Sequence, residues 1–153
     1  MALRSRLAFC TFTAMLLSQS SPSIGAEDTD VKTAIEANHA AIHSLNIAEI
    51  ANVWLHGADV TLVNPNDTSV SVGWDAVSDR WEDMIEHVDG LDIKQTEGPF
   101  VSVTGDFARA VGIAHATLRI KSQPPIEVNF AETDVLVKKN GKWLIVAHSA
   151  KPM

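Results

Sequence analysis

The 153-residue chain contains no tyrosine and a single cysteine. Without tyrosine, no phenolic hydroxyl is available as a proton donor or oxyanion partner. Cys10 lies in the first segment, so the rest of the chain has neither a disulfide framework nor a thiolate nucleophile. Positive charge is also scarce: 12 Lys and Arg stand against 19 Asp and Glu, for a formal net charge of −7. With no basic stripe, nucleic acid and anionic membrane surfaces are excluded as partners. After Ala26 no apolar run is long enough to cross a bilayer. There is no internal repeat and no low-complexity tract.

The N-terminus reads as a leader. Arg4 and Arg6 form a positive n-region, and Leu7 to Leu17 is an uncharged apolar run of signal-peptide length. Ser23-Ile24-Gly25-Ala26 supplies small residues for cleavage. The expected organisation is therefore a signal peptide over residues 1–26 and one domain over residues 27–153, placed in the periplasm or secreted. Cleavage removes two arginines and no acids, which makes the domain more acidic still.

Within that domain, Val31, Ile35 and Ile42 recur at helical spacing and predict a first helix. Asn46 followed by Glu49 has capping-box spacing, and Ile47, Ile50, Ala51 and Trp54 form the next stripe. Ala58 to Asn64 reads as a strand ended by Pro65, with a brief return strand over Val70 to Gly73. Val77, Trp81, Met84, Ile85 and Val88 share one face of a third helix that opens at Trp74-Asp75. Beyond Gly90 the period falls toward two. Strands are predicted over Leu91–Thr96, Phe100–Val103, Ala108–Ile120, Ile126–Val137 and Trp143–His148. Gly98-Pro99 reads as a bend or bulge, and Asn140-Gly141 as a tight hairpin turn. The fold class is α+β: a cone-shaped, strongly curved antiparallel sheet wrapped over about three N-terminal helices, an α+β roll of the cystatin kind. Such a cone has an open mouth and forms a pocket.

This layout resembles the nuclear transport factor 2-like superfamily, in particular SnoaL-like and ketosteroid-isomerase-like proteins. The resemblance rests on Trp54 and Asp59 before the first strand, Asn64-Pro65 at its end, Gly73 before the third helix and Trp81 within it. Gly141-Lys142-Trp143-Leu144-Ile145-Val146 matches the usual last hairpin. The resemblance places the isomerase's general base at Asn64, but an amide cannot accept a proton at neutral pH. It places the oxyanion-hole tyrosine near Ala40. The neutral carboxylic acid falls near Thr133, with Glu132 and Asp134 as register neighbours. A standard ketosteroid isomerase mechanism is thus not expected, while a pocket is.

Several residues are candidates for that pocket. Asn64 either hydrogen-bonds a ligand or caps its own turn before Pro65. Trp81 beside Met84 either fills the core or lines a cavity for an apolar or aromatic ligand. His115 shares strand parity with the bulky Val111, Ile113 and Thr117, opposite the small Ala110, Gly112, Ala114 and Ala116. If the bulky face points inward, His115 is a pocket base; otherwise it belongs to the sheet exterior or a dimer interface. Asn129 and Thr133 are further ligand-binding candidates. His148 and Ser149 face opposite ways, and one of them looks into the cone. His115 and His148 are the catalytic candidates. Glu36, His39 and His43 have metal-ligand spacing on a helix but lack the rest of a metal motif. No metal or cofactor is expected.

Two functions follow. One is a domain that binds a small, partly apolar or aromatic molecule and performs general acid/base chemistry on it, as an isomerase, hydratase or cyclase does. The alternative is a non-catalytic association or carrier module. In both the cone is expected to form a homodimer.

Overall fold

A computed structural model describes residues 24–153. The expected signal peptide lies almost wholly outside the described residues. Among those residues, none of the helices is long and apolar enough to cross a membrane. The elements run α1 (Ile24–His43), α2 (Ile47–Val53), β1 (Thr61–Val63), β2 (Ser71–Val72), α3 (Trp74–His87), β3 (Val88–Thr104), β4 (Phe107–Ile120), β5 (Ile126–Lys139) and β6 (Lys142–Pro152). The strands form one sheet in the order β2-β1-β6-β5-β4-β3. This is the expected α+β roll, with one difference: β1 runs parallel to β6, so the sheet is mixed and mostly antiparallel.

The helix boundaries follow local chemistry. Asn46 caps α2 by accepting a hydrogen bond from the Ala48 N–H at 2.9 Å. Gly73, at φ 84°, precedes α3 in a conformation that favours glycine. β3 joins the two strand pieces that the sequence shows on either side of Gly98-Pro99. Its pairing with β4 shifts register at three places, between Val88 and Gly90, Gln95 and Glu97, and Glu97 and Phe100. Such bulges bend a strand and sharpen its twist, and here they curl the long strands over the helices. Gly98 is required at its bulge: φ is 82°, and a Cβ would come within 2.9 Å of the Phe100 N and the Val111 carbonyl oxygen.

The core lies between the helices and the concave face of the sheet. Val31, Ile35 and Ile42 of α1 meet Ile50, Leu62 and Trp81 there. Trp54 is buried, donates from Nε1 to Asn38 Oδ1 at 3.2 Å and meets Trp81 edge-on. Trp143 is also buried, and Trp74 packs against the cluster, with His56 stacked on its ring.

The parity of β4 is the reverse of what a pocket-facing His115 requires. Ala108, Ala110, Ala114 and Ala116 are the buried set, and Val111, Ile113 and His115 face outward. Curvature explains this: side chains converge on the concave face, where small ones fit under the helices, and spread apart on the convex face.

A candidate acid–base site in an apolar cavity

The cone encloses a cavity of about 260 Å³. Its wall is mostly apolar. Ile42 comes from α1, Met84 from α3, Leu91 and Ile93 from β3, and Val128 and Phe130 from β5. One group of polar residues gathers where β5 and β6 pass α1 and the end of β1: His39, Asn64, Glu132 and His148; Asn66 and, from α3, Arg80, Asp83 and His87 add others.

Sheet register assembles them. Asp134 and His148 are direct cross-strand partners, so their side chains share one face. Glu132 lies two residues before Asp134, on that same face. Both carboxylates are 2 % exposed and His148 is 6 % exposed. The His148 Nδ1 sits 2.7 Å from Asp134 Oδ1. A second pair flanks it, with His39 Nε2 3.2 Å from Glu132 Oε2. Two carboxylates are therefore buried against two imidazoles, the pairing that buried charges need.

The site pulls the His148 pKa in opposite directions. Burial pushes it down, while the charge of Asp134, its hydrogen bond and the charge of Glu132 push it up. The upward causes prevail, and the pKa is raised above the ordinary histidine value. With Nδ1 engaged by Asp134, Nε2 is the nitrogen left for a ligand. Asp134 thus orients the ring and stabilises its protonated form.

Asn64 reaches the cavity from a braced turn. Its backbone N–H donates to Asp67 Oδ2 at 2.7 Å, and Arg80 Nε donates to Asp67 Oδ1 at 2.9 Å. Arg80 also reaches Asp83 at 3.2 Å. The capping side chain of this turn is that of Asp67, while the Asn64 amide nitrogen is buried with no partner, so Asn64 does not cap its own turn. Trp81 serves both core and wall.

The structure brings together Asn64, Trp81, Met84 and His148 of the residues singled out from the sequence. It places His115, Asn129 and Thr133 elsewhere. His115 faces outward, with Nδ1 3.0 Å from Asn129 Oδ1 and Nε2 2.7 Å from Glu127 Oε2. Thr133 pairs with Ser149 across the sheet, on the face opposite Asp134 and His148. Its register neighbours Glu132 and Asp134 are the residues buried on the inner face. A slip of one residue turns a strand side chain to the other face.

The Glu36, His39 and His43 trio is also divided. His39 turns inward to Glu132, Glu36 is exposed, and His43 pairs with Asp92 at the surface. The helical spacing of His39 pointed to a metal. The sequence held no sign that its partner would be a carboxylate 93 residues away. Among the described residues, Glu132, Asp134 and His148 are the set whose ligand atoms lie within 4.8 Å of one another and could hold a cation.

A SnoaL-like domain family model matches residues 31–151. No curated protein sequence matches the chain. Several solved structures share the fold. A provisionally named dehydratase of the nuclear transport factor 2-like family from Streptomyces avermitilis superposes with a TM-score of 0.75 at 21 % identity, over 86 % of this chain and 99 % of that one. A nuclear transport factor 2-like superfamily protein from Salmonella enterica gives 0.78 at 16 % identity, over 85 % and 93 %. A ketosteroid isomerase-like protein from Erwinia carotovora atroseptica gives 0.72 at 19 % identity, over 83 % and 96 %. At these identities the likeness establishes the fold alone. With the family model covering nearly the whole described domain, the chain belongs to the SnoaL-like domain family.

Proposed function

We propose that this protein binds a small, partly apolar molecule in the cone and moves a proton on it, as a dehydratase, hydratase, isomerase or cyclase does. The observation that carries the reading is the buried His148–Asp134 pair beside Glu132–His39, in a cavity whose wall is mostly apolar. Apolar surface binds the body of the molecule, and a few polar groups orient its reacting end.

The chemistry follows from the protonation preference. Protonated His148 donates from Nε2 to a leaving hydroxyl or a carbonyl oxygen, while Asp134 stabilises the imidazolium before the transfer. Glu132, whose Oε1 is buried with no partner, is the acceptor for a proton leaving an adjacent carbon. Asn64 offers its amide to a neighbouring oxygen. The dehydratase name carried by the Streptomyces structure, on the same fold, supports this class of reaction.

The test is a spectrophotometric screen of β-hydroxy ketones, their dehydrated enones and unconjugated enone isomers. Turnover is expected, and His148→Gln or Asp134→Asn is expected to lower it about 10²- to 10⁴-fold. Turnover unchanged in the double variant would sink the reading. A thermal shift produced by divalent metals alone, and abolished by Glu132→Gln, would replace it with a metal-binding one.

A second reading, association through the sheet exterior, has its own observation. Phe100 and Phe107 are 64 % and 61 % exposed on the convex side, near half-buried Val111 and Ile113. An apolar sheet face of this kind suits a second copy of the chain. It is compatible with catalysis in the cone. We also retain residues 1–26 as a cleaved leader. An intact mass beginning at Glu27 in the periplasmic or secreted fraction is the expected result, and a full-length cytoplasmic mass would refute it.

A further inference from the structure

We infer that the molecule taken up by the cone carries no negative charge, is one to two rings in size and carries a hydroxyl or carbonyl group, and that Ala116 sets its upper size limit. The inference rests on the reading of the cavity as the substrate site, and it narrows the substrate by charge and by volume.

Charge comes first. Every basic side chain on the cavity wall is already committed. Arg80 is held between Asp67 at 2.8 Å and Asp83 at 3.2 Å. His148 is held by Asp134 at 2.7 Å, and His39 by Glu132 at 3.2 Å. His87 sits in solvent at the rim and turns to Asp83. An entering carboxylate or phosphate therefore finds no free cation. It would lie beside two buried carboxylates and lose its hydration without a partner. Glu132 Oε1, by contrast, is buried with no partner, so a cationic group does not meet the same opposition. A hydroxyl or carbonyl does not bring the anion's demand for a cation. It needs one donor or acceptor, which Asn64 or His148 supplies.

Volume comes second. A cavity of about 150 Å³ takes up benzene. The 260 Å³ here therefore suits one ring with substituents or two fused rings, and is short of the four fused rings of a steroid. The room exists because β4 and β6 present small residues to it. Ala116 and Ala150 lie on the wall, and Ala116 stands opposite Val128 across the β4–β5 ladder. A larger side chain at 116 projects into the space that a second ring would fill.

Binding to the full domain by calorimetry separates these claims. The probes are phenol, 1-naphthol, 1-naphthoate and a four-ring sterol, on wild type and Ala116→Leu. Wild type is expected to bind 1-naphthol at least tenfold more tightly than the naphthoate, and to exclude the sterol. Ala116→Leu, confirmed folded by circular dichroism, is expected to lose at least tenfold toward 1-naphthol while keeping phenol. Naphthoate bound as tightly as naphthol overturns the charge argument. Sterol binding, or an unchanged naphthol affinity in Ala116→Leu, overturns the size limit. Failure of both neutral probes overturns the inference as a whole. These outcomes stand apart from the catalytic reading, which fails separately if His148→Gln leaves turnover intact while the binding pattern is as expected.

Discussion

His148 carries the pH behaviour of the site. Its pKa is raised because Asp134 and Glu132 outweigh the effect of burial. A raised folded-state pKa means that the folded protein holds the proton more tightly than the unfolded chain does. The stabilisation is thus fully present below the unfolded value of about 6.5 and is lost as pH rises through the raised value. Wild type should exceed His148→Gln in stability at pH 5.5, and the gap should narrow by pH 9. Urea unfolding of both proteins at the two pH values measures this, and a gap that widens with pH would contradict the assignment. Asp134→Ala should also destabilise, by about 1–3 kcal/mol, because it leaves the buried His148 ring nitrogen without its hydrogen-bond partner. At this scale, the residue types of the site were visible in the chain. Its pairings were not: Asp134 and His148 are partners only through strand register, and His39 and Glu132 only through the docking of α1 on the sheet.

At the scale of elements, the helices and turns follow local chemistry closely. Asn46→Ala removes the acceptor for the Ala48 N–H and should cost about 1 kcal/mol, read as a lower melting temperature without loss of ligand binding. The β5–β6 turn has Asn140 at φ 52° and Gly141 at φ 78°. This pair of positive φ values is what a two-residue hairpin demands. A Cβ on Gly141 meets nothing within 4 Å, so Gly141→Ala should cost only the left-handed backbone penalty, about 1–2 kcal/mol. A much larger loss in chemical denaturation would mean that the turn has other duties. Strand existence was legible for the same reason as the turns. Period-two patterning and Gly, Pro and Asn punctuation act over a few residues. Strand facing was less legible, because the face of β4 that carries bulky Val111 and Ile113 also carries Arg109, His115, Thr117 and Arg119, and bulk and polarity point opposite ways.

For the whole molecule, the exterior of the sheet makes the remaining prediction. If the convex face joins two copies, sedimentation velocity should show a dimer, and Ile113→Lys should shift it toward monomer without emptying the cavity. A wild-type monomer at high concentration would leave the face without that role. The polar network of His115, Asn129, Glu127 and Thr117 lies on this same face. It is the destination of two residues that the sequence had offered to the pocket.

The sequence by itself determined the class of the protein. Helical and strand periods, caps, turn dipeptides and the last hairpin are local signals, and their order admits little besides a helix-filled cone. The absence of tyrosine and the amide at Asn64 also made the isomerase's own mechanism unexpected before any geometry was known. Tertiary structure decided which side chains meet. Curvature put the small residues of β4 inside and His115 outside. Register placed Glu132 and Asp134, and left Thr133 on the other surface. Docking of α1 turned His39 from a surface metal candidate into the partner of a buried carboxylate. Each of these depends on atoms far apart in the chain, and no local pattern of residues encodes such distances.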